Sequence, residues 1–108
     1  MLNMKTPRLP MQTNPEMITG IGWYSPDQWA MLKLLADDSA ALDSSYEAWM
    51  KNAENVFQTL QGHQSGVRPV RIHIDVEVLR TWCRDHGYGL DAPARAKFIT
   101  EQVKKTYG

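Results

Sequence analysis

The sequence holds a single cysteine, Cys83. An intrachain disulfide is therefore excluded, which suits a reducing compartment, and a cytoplasmic protein is the expectation. Long hydrophobic runs are also missing. No stretch approaches the roughly 18–20 apolar residues of a membrane span, so no membrane partner is expected. The opening stretch MLNMKTPRLPMQTNPEM has Lys5 and Arg8 but no continuous apolar segment after them, unlike a secretory signal. Net charge is absent too, with 12 basic and 12 acidic side chains in 108 residues. A bulk polyanion binder normally carries a basic surplus, so none is indicated. No C-x-x-C, H-E-x-x-H or G-x-x-x-x-G-K pattern occurs, and GYGLD before a helix lacks the preceding strand of a phosphate loop.

The groups that could carry chemistry are sparse. Cys83 and His86 lie three apart on one helical segment, so both could touch a metal. The other ligands on offer, His63, His73 and scattered acids, stand at no fixed spacing. A core thiol and a helix-end cation account for the pair more simply. Asp37 and Asp38 are adjacent, and neighbours on a helix point about 100° apart, so capping or solvent exposure suits them better than paired-carboxylate catalysis. No catalytic, cofactor-binding or metal residue is assigned, no cofactor is expected, and the chain reads as a non-enzyme.

Periodicity is what the sequence does supply. Residues 1–16 contain Pro7, Pro10 and Pro15 and little periodic apolar content, and read as a flexible or extended arm. YSPDQW opens a first helix: Ser25 caps it, Pro26 fits its first position, Gln28 completes a capping box, and Tyr24 and Trp29 flank the cap. A second helix is expected from about residue 39 to 61. There Leu42, Tyr46, Trp49, Ala53, Val56 and Leu60 form a seam spaced 4, 3, 4, 3 and 4, widened by Phe57. GHQSG is a loop. In VRPVRIHID, Val70, Ile72 and Ile74 alternate with Arg71, His73 and Asp75, the pattern of a half-buried strand. Its pairing partner is either residues 17–24 of the same chain, where Gly20 and Gly22 weaken the case, or a second copy.

Asp75 then caps a third helix, residues 76–86, with Val78, Leu79, Trp82 and Cys83 inward and Arg80 and Arg84 outward. Gly87 ends it. Asp91 caps a fourth helix, with Ala92, Ala96, Ile99 and Val103 as its apolar stripe and Phe98 beside it. The expectation is one α+β domain over residues 17–108, predominantly helical, with about four helices and one strand or a short two-stranded ribbon. The charges are spread unevenly: residues 25–66 hold two basic and six acidic side chains, and residues 67–108 hold eight and five. That imbalance fits two faces of one fold.

Four tryptophans is high for this length, and at helical spacing they belong in a core. Trp23 and Tyr24 fall outside the periodic segments and are candidates for an exposed docking patch. With Arg80 and Arg84 they make up the candidate partner-binding set. The expected role is protein binding or an accessory function, the partner being another protein or a second copy.

Two resemblances qualify this reading. The order strand, helix, glycine turn, helix over residues 68–107 resembles a ribbon-helix-helix regulator. That resemblance implies a dimer whose antiparallel strands enter the DNA major groove, with Arg71 and His73 as base-reading residues and backbone N–H groups near Asp91 on phosphate. DAPARAKF departs from that family's second-helix start, which has a Ser/Thr-rich turn and two adjacent large aliphatics, and the strand follows a long helical hairpin. DNA is therefore the alternative rather than the first expectation. The series SPDQW, ADD, SYEAW, VRIHID, WCRDHG and LDAPARAKF resembles short bacterial proteins of no assigned function over residues 23–103. It marks Trp29, Trp49, Trp82 and Arg95 as pattern positions.

Overall fold

The structure, a computed structural model, describes residues 17–62 and 66–107. The arm at residues 1–16, His63 and the centre of the GHQSG loop lie outside the described residues. In chain order the elements are β1 (Met17–Trp23), α1 (Pro26–Leu35), a 3₁₀ turn (Ser39–Ala41), α2 (Tyr46–Gly62), β2 (Val67–His73), α3 (Val76–Asp85) and α4 (Ala92–Tyr107). The fold is α+β and predominantly helical, as the periodicity indicates.

β2 finds its partner within the chain. It pairs in parallel with β1, in the register Met17 to Val67 through Trp23 to His73. A parallel pair needs a long crossover, which α1 and α2 provide. Met17 N donates to Gly66 O at 2.8 Å and Ile74 N to Trp23 O at 3.0 Å, one bond at each end of the ladder. Along a strand, successive residues direct their N–H and C=O groups to opposite edges. Met17, Thr19, Ile21 and Trp23 therefore bond to β2, while Ile18, Gly20 and Gly22 point their backbone groups away from it.

The two glycines have a packing role. A Cβ at Gly20 would lie 2.6 Å from Val103 Cγ2 and 2.7 Å from Ile99 Cγ2, and one at Gly22 would lie 3.0 Å from Ile99 Cδ1. They let α4 settle directly on the sheet, a close-approach use of strand glycine. What looked like a weakness in the pairing segment is the condition for its packing.

α4 covers the sheet face of Val70 and Ile72, with Phe98 buried and Ile18, Ile99 and Val103 packed around it. The alternate residues, Trp23 and Arg71, face α2 through Phe57. Helices thus lie on both faces of a two-stranded sheet. α3 and α1 complete the core, where Leu32, Leu79, Val76 and Cys83 are the most deeply buried side chains. Each of the three aliphatic side chains among them stabilises the fold by about 1.5–3 kcal/mol.

Local capping explains the helix starts. Ser25 Oγ accepts from Gln28 N at 3.3 Å, Asp75 Oδ1 from Val78 N at 3.2 Å, and Asp91 Oδ1 from Ala94 N at 3.0 Å. Gln28 makes a different contact from the one its motif suggests: Gln28 Oε1 accepts from Val76 N at 2.6 Å, tying the starts of α1 and α3 together. Gly87 ends α3 with φ +72.

Three helix expectations are corrected. The second helix begins at Tyr46, not near Ser39, because Ser45 Oγ accepts from Ala48 N at 3.1 Å and starts it there. Ser39 Oγ meanwhile donates to Lys33 O at 2.6 Å, drawing residues 39–41 into a short turn. The α2 seam runs through Tyr46, Trp49, Ala53 and Phe57, while Val56 is 50% exposed. On α4, Ala94 and Phe98 are the buried positions, and Ala92 and Ala96 are exposed.

Candidate protein-interaction surface

Most polar groups singled out in the sequence are held in structural contacts. Arg95 grips Asp38 with both guanidinium nitrogens, Nη1 to Oδ1 at 2.8 Å and Nη2 to Oδ2 at 2.9 Å. Both side chains are largely shielded. The hydrogen bonds from Arg95 hold the Asp38 carboxyl below its usual range, against a smaller opposing effect of burial. The same bonds raise the Arg95 value. Asp37 Oδ2 accepts from Leu90 N at 3.1 Å. Asp37 and Asp38 therefore fasten the end of α1 to the turn and start of α4. Cys83 is 2% exposed, and burial pushes its thiol up, so it is a core residue.

Trp23 and Tyr24 correct an expectation. They are 8% and 6% exposed and belong to the core, not to a docking patch. The aromatic cluster under α2 takes them in. Trp49 has Trp23 at 5.6 Å, Tyr24 at 5.4 Å, Trp29 at 5.4 Å and Tyr46 at 5.5 Å between ring centroids. Tyr46 Oη also donates to Tyr24 O at 3.0 Å. Burial pushes the Tyr24 phenol up to about 12. Periodicity placed these two residues outside any helix, but the end of a covered strand is as good a core position.

Arg71 is held as well. Its guanidinium carbon lies 3.8 Å from the Phe57 ring centroid and 4.6 Å from that of Trp23, and its Nη2 bonds Glu54 Oε1 at 3.0 Å. His73 is exposed at the end of β2, near Trp23, Ser25 and Gln28. Arg80 is exposed and pairs with Glu77 at 3.6 Å, and Arg84 is exposed on the same flank of α3. The structure therefore groups Arg80 with Arg84, Arg71 with Trp23, and neither pair with the other.

The opposite flank of α3 carries a second, partly aromatic stripe. Val78, Trp82 and His86 recur at spacing four, separate from the buried Val76, Leu79 and Cys83. Val78 is 54% exposed, not inward, and Trp82 is half-buried. Tyr88 joins from the turn, 39% exposed, with its ring 5.5 Å from Trp82 and 5.7 Å from His86. The His86 and Trp82 rings are 4.3 Å apart.

Trp82 is fixed from below and from the side. Phe98 meets it edge-on at 5.4 Å, and its Nε1 donates to Glu101 Oε1 at 3.3 Å. His86 Nδ1 lies 2.8 Å from Trp82 O, a contact that requires the proton on Nδ1. Lys97 Nζ sits 4.7 Å over the Tyr88 ring. Two grooves meet at the indole. One, of about 470 Å³, runs between α3 and α4 past Tyr88, Lys97, Glu101 and Lys104. The other, of about 390 Å³, follows α3 along Val78, Thr81 and Asp85. Trp82 forms the ridge between them. The sequence does hold the signal, since two stripes on one short helix imply two surfaces, but periodicity alone places Trp82 with Leu79 and Cys83.

Among the described residues, no cluster of three or more His, Cys, Asp or Glu side chains is placed to hold a metal ion. None of their helices is long and apolar enough to cross a membrane. Compared with family models, curated proteins and solved structures, the chain matches none.

Proposed function

We propose that this chain is a non-enzymatic protein-binding module whose docking surface is the Trp82 face of α3 and α4. One observation carries the reading: a rigidly held, half-buried tryptophan stands between two grooves, flanked by exposed Val78 and Tyr88. Binding energy at protein interfaces concentrates in such aromatic anchors, because a pre-positioned ring loses little entropy on association. Lys97 and Lys104 border one groove, and Glu77 and Asp85 the other, giving the polar rim of an interface around an apolar centre. Arg80 and Arg84 lie across the helix and add charge outside the anchor.

The DNA-reading alternative has less support. Arg71 would have to leave two aromatic faces and a carboxylate to reach a base, and β2 is paired in parallel within its own chain. Site-specific photocrosslinking in the host cell tests the reading. A photoreactive residue at position 78 or 88 should yield a discrete protein adduct, whereas one at exposed position 56 should not. Adducts at position 56 alone, or specific duplex binding lost with Arg71→Ala and His73→Ala, would reverse the assignment.

A further inference from the structure

The two edges of the sheet are guarded differently. On β2, the residues whose backbone faces outward are Val67, Pro69, Arg71 and His73. Pro69 lacks an N–H, Arg71 brings charge and His73 bulk, the usual protections of an edge strand. On β1 the outward groups belong to Ile18, Gly20 and Gly22, and among the described residues no strand covers them. Met17 to Trp23 contains no charged residue and no proline. Beside this edge runs a groove of about 330 Å³, lined by Met17–Gly20 and by Ala96, Ile99, Thr100 and Val103 of α4, again without a charge.

We propose that this edge is a self-association site, where β1 pairs antiparallel with β1 of a second copy across a two-fold axis at Gly20. Two two-stranded sheets then become one sheet of four. A symmetric contact requires a surface that complements itself. Charge meets that requirement, because two uncharged edges and two uncharged helix flanks meet without repulsion. Register meets it as well. With Gly20 on the axis, Ile18 faces Gly22 of the partner subunit, so every pair on the α4 side includes a glycine. Ile18, Gly20 and Gly22 then form three hydrogen-bonded pairs with the partner subunit's Gly22, Gly20 and Ile18. The axis is perpendicular to the sheet, which keeps both α4 helices on one face. Their small residues, Ala96 and Thr100, border the seam. The contact also explains the apolar stripe of α4. Ala92 and Ala96 follow its period yet are exposed in the single chain.

Amide hydrogen exchange on the full chain, run over a concentration series beside sedimentation analysis, tests the proposal. The Ile18, Gly20 and Gly22 amides should slow by about tenfold or more as a dimer forms. Ala96→Glu alters an exposed side chain, so its circular dichroism should match the parent while dimer and protection are both lost. A monomer at every concentration with fast amides would overturn the proposal. So would protection independent of concentration, which would mean that another part of the same chain covers the edge. Protection that appears only when a different protein is added would overturn it too. The Trp82 surface lies outside this contact, so its failure and this one are separately visible.

Discussion

Gly20→Ala sets two opposing effects against each other. In the unfolded chain, alanine has fewer conformations to lose than glycine, which favours the variant by about 0.4–1 kcal/mol. In the folded chain the new Cβ meets Val103 Cγ2 at 2.6 Å, Ile99 Cγ2 at 2.7 Å and Ile72 Cγ1 at 3.1 Å. All three residues are β-branched, so their side chains cannot swing clear by a free χ1 rotation. α4 must move off the sheet, and overpacking of this kind costs about 1–3 kcal/mol. The steric effect should win, leaving Gly20→Ala less stable by about 1–2 kcal/mol in a urea melt at low protein concentration. Val103→Ala removes one of the obstructing methyls. The double variant should therefore lose less than the sum of the two single losses, with a coupling of about 0.5 kcal/mol or more. A neutral or stabilised Gly20→Ala, or strict additivity, would refute the claim that the glycines exist to seat α4.

Other perturbations probe the remaining contacts. Trp49→Ala removes the ring that touches Trp23, Tyr24, Trp29 and Tyr46 and should cost about 3 kcal/mol by urea melt, the low end for aromatic truncation because Trp49 is only half-buried; a loss below about 1 kcal/mol, typical of surface sites, would contradict its place in the core. Asp38→Asn should lose about 2 kcal/mol near neutral pH, the worth of a shielded charge-assisted contact. Because the folded carboxyl titrates below its unfolded value of about 3.9, that contribution is full above this value and fades as pH falls through the folded one. Melts of parent and variant should therefore converge at acid pH, and a gap that persists there would contradict the ion pair. Cys83 should resist thiol reagents at neutral pH until the chain unfolds, and Cys83→Ala should leave the fold in place; fast labelling of the native protein would show an accessible, activated thiol.

Where local chemistry decides the structure, the sequence was readable. Ser25, Asp75 and Asp91 mark helix starts by side-chain capping, and Val70, Ile72 and Ile74 mark a strand by alternation. The errors arose where tertiary contacts decide. Gly20 and Gly22 looked like strand breakers because the helix they accommodate lies about 80 residues away in sequence. Trp23 and Tyr24 follow no helical period, so nothing local revealed that α2 would cover one and the core the other. Seam spacing could not choose between Val56 and Phe57, which are adjacent. The candidate surface was the least legible part. Val78 and Trp82 are apolar residues on an amphipathic helix, and only the position of α4 shows which side of that helix stays open.

The most direct test of the account is the affinity of the purified chain for the protein crosslinked through position 78 or 88, measured by titration calorimetry. Trp82→Ala should weaken binding by about 2 kcal/mol or more, roughly thirtyfold, as expected for a central anchor. Since Trp82 also rests on Phe98, Tyr88→Ala and Val78→Ser serve as milder variants at exposed positions, each expected to weaken binding with an unchanged melt. Arg71→Ala should leave the affinity as it is. If Trp82→Ala, Tyr88→Ala and Val78→Ser all bind within twofold of the parent, the Trp82 face is not the docking surface.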